Sequence, residues 1–550
     1  MSATSPSAGA HAPSADRGAF RGRTAFIFAA IGSAVGLGNI WRFPAVAYDN
    51  GGGAFILPYL VALLTAGIPL LFLDYAIGHR WRGSAPAAWR RFKRWTEFIG
   101  WWQVLITLII ALYYALILAW ALNYTVFSLD QRWDSHPKGA AGFFGEYTQA
   151  LEGADVDISF DYVPTVLISM LIVWVAVIVV MALGVQKGIA GASTIFIPLL
   201  VIMFVILVIR SLFLPGAFDG LDAFFRPNWG ALLNPSVWIA AYGQIFFSLS
   251  VAFGIMLTYS SYLKKKTDLT GSGLVVGFAN SSFEILAGIG VFSALGFMAQ
   301  AQGVRVDEVV SAGIGLAFIA FPTIISEAPA GALIGVLFFG SLILAGFTSL
   351  ISIVEVVIAA VQDKFGLGRV SSTLWVCVPI AVVSTVLFST TMGLPLLDVM
   401  DKWVNEYGIV AAALVSSLIV AYVVRGMPTL RDHLNFRGTF HIGRWWYACV
   451  AIIAPLVLAF SLVGGTIQLV TSGETYSGYP VWFNFVFGWL MAIGLLVIAI
   501  VLSAIPWPAG SNLHKSDSDG DPIAPEVVPG KGLVVRPEAT TPHELRSAEF

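Results

Sequence analysis

Apolar residues fall in long unbroken runs along this chain, not in the alternation of a half-buried strand or the stripe of a surface helix. A helix rises about 1.5 Å per residue, so about 20 apolar residues span the hydrocarbon of a bilayer. The pattern predicts twelve such helices, near residues 24–47, 53–78, 100–126, 162–184, 192–213, 237–262, 271–298, 329–361, 373–392, 396–424, 446–470 and 480–505. Runs such as 170–183 and 495–502 are apolar at every position. Strands of a porin-type barrel alternate, so that architecture is excluded. Composition points the same way. Of 550 residues, 57% are hydrophobic and 11% charged, against roughly 25% charged in a soluble domain. The expected class is an all-α polytopic membrane protein in contact with the lipid bilayer.

Charge sets the orientation. Arg80, Arg82, Arg90, Arg91, Lys93 and Arg94 follow the second span, Lys264–Lys266 the sixth, and Arg425, Arg431, Arg437 and Arg444 the tenth. Loop 127–161 has only Arg132 and Lys138 beside seven acids. Basic loops stay in the cytoplasm, so both termini are expected there, in a plasma (inner) membrane protein. Residues 1–20 have no apolar core, so no cleavable signal peptide is expected. The net charge of −2 offers nothing to nucleic acid. Cys377 and Cys449 lie in apolar runs and read as packing residues.

Two spans are interrupted by residues that helices in lipid avoid. The first reads Gly32-Ser33-Ala34-Val35-Gly36-Leu37-Gly38-Asn39, then Ile40-Trp41-Arg42-Phe43-Pro44. Each glycine weakens a helix by roughly 1 kcal/mol relative to alanine. Close helix packing explains the glycines, but neither Asn39 nor Arg42. The sixth span places Gln244, Ser248 and Ser250 before Gly254. The two lie five spans apart, as in a 5+5 inverted repeat. Broken helices in matching positions mark a binding site near the bilayer midplane, where freed carbonyls bind cations and helix N-termini a carboxylate. The expected organisation is an N-terminal segment 1–23, repeats 24–213 and 214–425, two further spans within 426–505, and a disordered cytoplasmic tail 506–550.

The run 32–44, followed by Asn50-Gly51-Gly52-Gly53-Ala54-Phe55 and Pro58-Tyr59, resembles the neurotransmitter:sodium symporter family, above all its bacterial amino-acid members. Gly243-Gln244-Ile245-Phe246-Phe247-Ser248-Leu249-Ser250 resembles that family's sixth helix, and Ala345-Gly346-Phe347-Thr348-Ser349 its eighth. The resemblance implies alternating-access import of a neutral amino acid with two sodium ions. One ion would sit on Ala34, Asn39, Ser248, Asn280 and the substrate carboxylate. The other would sit on Gly32, Val35, Ala345, Thr348 and Ser349. Hard cations take oxygen ligands, and both sets supply them. For Thr348 or Ser349 alone, a bond to its own i−4 carbonyl is the simpler reading, but the joint pattern over three helices overturns it.

The substrate pocket implied by the family comprises Ser33, Ala34, Gly38, Ile110, Tyr114, Phe247, Ser250, Ala252, Phe253, Ser349 and Ile353. Tyr114 would hold the carboxylate, and the Phe247 and Ser250 carbonyls the amine. Tyr113, in contrast, reads as a lipid-facing or core residue. Ala252 stands where relatives often have glycine, so its methyl is expected to disfavour bulky side chains. Alanine and methionine are the expected substrates. Arg42 with Asp401 would form an outer gate, and Arg17 with Asp363 an inner one. Glu284 lies one turn from Asn280 and replaces the serine of chloride-dependent relatives, near Tyr59, Gln244, Ser248 and Asn280. Its fixed charge makes chloride unnecessary. Asp74 would satisfy the unwound part of span six, and Glu355 would line the cytoplasmic path or serve packing.

No phosphate-cradling G-x-x-x-x-G-K-[ST] occurs, so ATP is not an expected partner. His543-Glu544 has no second histidine to make a zinc protease, and the chain is not read as an enzyme. Two alternatives stay open, a proton-coupled transporter of the same fold and a transport-like sensor. The oligomeric state stays open as well.

Overall fold

The computed structural model describes residues 18–311, 313–471, 475–508, 511 and 513, and the backbone of two short paired strands, Glu526–Val528 and Gly532–Val534. Arg17 and His543 lie outside the described residues. The first span is a pair of helical stretches, Arg23–Ala34 and Leu37–Asp49, bent by 55°. The second to fifth are Gly53–Trp81, Arg94–Phe127, Pro164–Ala182 and Val185–Leu212. Leu269–Gln302, Gly331–Phe365, Arg369–Phe388, Gly393–Val423, Trp445–Thr471 and Val481–Ala504 are the seventh to twelfth. The sixth is split into Pro235–Ser248 and Ile255–Ser261, each half too short to cross a bilayer alone.

Burial orders these helices. The most apolar window of the eighth span is 89% buried and that of the twelfth 17%. The eighth packs along the third at the centre, and the inner half of the first lies against the fifth and eighth. The central helices therefore hold the breaks away from lipid, the only place irregular backbone is tolerated at membrane depth.

The first break is short. Its helix ends at Val35, Gly36 is extended, and Asn39 Oδ1 accepts the Gly36 amide at 3.0 Å. The same Asn39 thereby caps the second helical stretch. The sixth break is longer, because Ser250 (φ 53°), Ala252 (φ 66°) and Gly254 (φ 87°) all have left-handed backbone. Such a conformation costs a non-glycine residue about 1–2 kcal/mol. Neighbouring side chains offset this: the Ala252 amide donates to Asp74 Oδ2 at 2.9 Å, and Ser250 Oγ to the Ser33 carbonyl at 3.2 Å. Asp74 thus meets its expected place beside the unwound stretch.

The face carrying the arginine- and lysine-rich loops, the basic face, is closed beneath the breaks. Phe20 is buried against Tyr259 and Tyr262, and its amide donates to the Tyr262 carbonyl. Arg82 donates to the carbonyls of Ser261 and Leu263 at the end of span six. The beginning of the tail docks here, which the polar composition of 506–550 did not suggest. Trp507 Nε1 donates to Glu97 at 2.7 Å, Lys364 Nζ to the Ile505 carbonyl at 2.7 Å, and Arg91 Nη2 to the Leu513 carbonyl at 2.8 Å. A buried carboxylate needs donors, and Trp507 supplies one that composition conceals.

Candidate substrate and ion site

The two breaks face each other across a chain of side chains. Asn39 Nδ2 donates to Asn280 Oδ1 at 2.8 Å, and Asn280 Nδ2 donates to Ser248 Oγ at 2.7 Å. All three are buried. Ala34 ends the inner half of span one and Ser248 ends the outer half of span six, so both helix ends come with carbonyls their helices do not use. The expected first ion set therefore converges. Its oxygen chemistry suits sodium.

The second set converges less completely. Ser349 Oγ reaches the carbonyls of Gly32 and Ser33 at 3.4 Å each and that of Ala345 at 3.1 Å. Thr348 Oγ1 donates to the Leu344 and Ala345 carbonyls of its own helix, both at 3.0 Å. Self-bonding thus accounts for Thr348 in this geometry. Its side chain still faces the first span, because a Cβ on Gly32 would lie 3.2 Å from the Thr348 Cβ. Val35 is the residue at which the inner helix stops.

A cavity of about 620 Å³ extends from the breaks towards the face opposite the basic loops. Beside the breaks it is lined by Ser33, Ala34, Gly38, Ile110, Tyr114, Phe247, Ser250, Phe253, Ser349 and Ile353, none of them charged. The Ser33 hydroxyl is buried without a protein partner. The Tyr114 hydroxyl lies against Ser349 and the Leu37 backbone. Phe247 presses on Gly38 so closely that a Cβ there would fall 2.1 Å from its ring. Ala252 is not in the wall. Its backbone is left-handed and its amide donates to Asp74.

Farther out, Arg42, Asp398, Asp401, Lys402 and Glu406 line the same cavity. Arg42 and Asp401 share it without forming an ion pair. The Arg42 guanidinium sits over the Phe247 ring, 4.6 Å from its centroid. Asp401 accepts from Asn405 Nδ2 at 2.8 Å and from Tyr113. Asp363 accepts the Ser84 amide at 2.7 Å on the basic face, while its expected partner Arg17 is outside the described residues.

Glu284 is fully buried. It accepts from Gln244 Nε2 at 2.7 Å and from the Tyr59 hydroxyl. With Asn280 and Ser248 adjacent in the side-chain chain above, the five expected residues form one cluster. Glu355 lies nearer the basic face, paired with Arg369 at 2.7 Å and accepting from Tyr262 at 2.6 Å. Outside the spans, burial alone would raise the Asp268 carboxyl. Hydrogen bonds from Thr439 and Gly271, with Arg23 beside it, hold it below the usual carboxylate range.

The sequence reading missed Tyr113 and Asn405. Asn405 lies one turn from Asp401, a spacing that shares a helix face and could have flagged it. Tyr113 carries no such signal.

Two broken helices, the first and the sixth, meeting over a shared polar cluster are the build of secondary transporters made of inverted repeats. The model of the sodium:neurotransmitter symporter family matches residues 17–139 and 136–508, and the chain belongs to that family. It is 39% identical to an uncharacterized sodium-dependent transporter, MJ1319, of Methanocaldococcus jannaschii over 488 residues, 88% of this chain and 97% of that one. It is 30% identical to the human sodium- and chloride-dependent GABA transporter 2, covering 88% of this chain and 85% of that protein. The crystal structure of MhsT in complex with L-phenylalanine superposes with a TM-score of 0.69 at 30% identity, covering 82% of this chain and 99% of MhsT.

Proposed function

We propose that this protein imports neutral α-amino acids by symport with two sodium ions, without chloride. The observation that carries this reading is the buried chain Asn39–Asn280–Ser248 joining both breaks at the floor of an uncharged pocket. The substrate carboxylate completes the first ion site beside Tyr114. The second ion lies between span one and Ser349, with Thr348 turning from its own carbonyls to join it. No acid stands at Ser33 or Ala34 to replace a missing carboxylate, which disfavours monoamines. The basic loops face the cytoplasm, so the cavity opens outward, and an inward sodium gradient drives import.

Burying an unpaired side-chain charge in the pocket costs several kcal/mol. Lysine, arginine, aspartate and glutamate should therefore compete at least about 100-fold more weakly than neutral amino acids. Alanine and methionine are the expected preference, with leucine next. Since Ala252 is not in the wall, that preference rests on the bulk of Ile110, Phe253 and Ile353 alone. A competition panel of all twenty amino acids against labelled methionine tests this. Tryptophan as the strongest competitor would reverse the size preference, and a charged competitor at the top would refute the substrate class.

The outer gate closes when Arg42 meets Asp401. Arg42→Glu and Asp401→Arg should each lower uptake at least about tenfold, and the double reversal should restore it to within a few-fold. A double variant no better than either single one would show that the two residues are not partners.

A further inference from the structure

Asp401 has its donors in this structure, and none of them is Arg42. Asn405 Nδ2 bonds both Asp401 Oδ1, at 2.8 Å, and the Asp401 carbonyl, at 2.9 Å. The Tyr113 hydroxyl bonds the same carboxylate. Tyr113 is only 2% exposed, yet it lines the cavity. Arg42, meanwhile, is parked on the face of Phe247. Each gate charge therefore has a partner other than the opposite charge.

We propose that Tyr113 and Asn405 are positioning residues of the outer gate, holding the Asp401 carboxylate apart from Arg42 until closure exchanges them for the guanidinium. The proposal rests on the Arg42–Asp401 gate of the preceding section. A carboxylate with no donors would be strongly drawn to Arg42, and the cavity would tend to stay shut. Two neutral donors satisfy it in the open state, so closing swaps one satisfied arrangement for another. Such an exchange keeps the two states close in free energy, as a gate that opens every cycle requires. Successive residues on a helix diverge by about 100°. Neighbouring tyrosines can thus serve two places, Tyr114 beside Ser349 and Tyr113 at the gate.

Removing the donors should favour the closed state. The reporter is Leu394→Cys, which lines the outer cavity, in a chain whose native Cys377 and Cys449 are buried. Its modification by a charged thiol reagent is measured on full-length protein in sodium-containing proteoliposomes, without substrate. Loss of one hydrogen bond to a charged group shifts the equilibrium about tenfold, so from two states of near-equal free energy Tyr113→Phe should slow modification about fivefold, and Asn405→Ala should slow it similarly. The apparent KM for uptake should rise, because only the open share binds external substrate. In an Asp401→Asn background, neither substitution should change the rate further. Modification in Tyr113→Phe at the wild-type rate would overturn the proposal. So would an equal slowing in the Asp401→Asn background, which would mean a packing defect. If the Arg42/Asp401 double reversal restores uptake while these rates do not move, the gate stands and the positioning role falls. If the double reversal fails as well, the gate reading itself is wrong.

Discussion

Asn39→Ala is expected to lower uptake at ordinary sodium concentrations by at least about a hundredfold. The size follows from the three tasks of one amide. It accepts the Gly36 amide where the first helix restarts, donates to Asn280, and in the proposed reading would offer its oxygen to the first sodium ion. Alanine removes all three and leaves Asn280 without its donor. Thr348→Val is the cleaner companion. The threonine hydroxyl bonds only carbonyls of its own helix, so a similar-sized apolar side chain strands no donor. Its loss should appear as a demand for at least about tenfold more sodium, with the helix intact. Sodium titrations of methionine uptake in wild type and both variants check the pair. A sodium dependence unchanged in Thr348→Val would remove that residue from the second ion site.

Glu284→Ser should convert the protein to one that needs chloride. Its carboxylate is the buried acceptor for Gln244 and Tyr59, beside Asn280 and Ser248. Serine leaves those donors in place and opens space for an anion. Restoring a negative charge there restores the cluster's balance. In the variant, uptake in gluconate should fall at least about tenfold and recover with added chloride. The wild type should run equally in both. Wild-type uptake that stops in gluconate would contradict the reading of Glu284.

The breaks were legible because glycines, Asn39 and Ser250 have no business in a lipid-facing helix, while the individual ion ligands came from the family resemblance. What stayed hidden depends on geometry rather than residue type. Ala252 was expected to narrow the pocket, but it is not among the residues that line the cavity, and its amide is held by Asp74. Alanine gives no warning of a positive φ. Tyr113 and Tyr114 are chemically identical and adjacent, so only their directions on the third span separate a gate residue from a pocket residue. Trp507 stands at the start of a polar stretch, and its role depends on Glu97, which lies far away in the chain. Thr348 was expected as an ion ligand from the joint pattern over three helices, whereas here its hydroxyl bonds carbonyls of its own helix.

The account's central claim is that a sodium gradient drives amino-acid entry through this site. Proteoliposomes loaded with choline chloride and diluted into sodium chloride, lithium chloride or choline chloride, each with labelled methionine, test it most directly. The prediction is accumulation above the external concentration in sodium only, abolished by Asn39→Ala. Undiminished uptake in choline chloride, in wild type and variant alike, would contradict it.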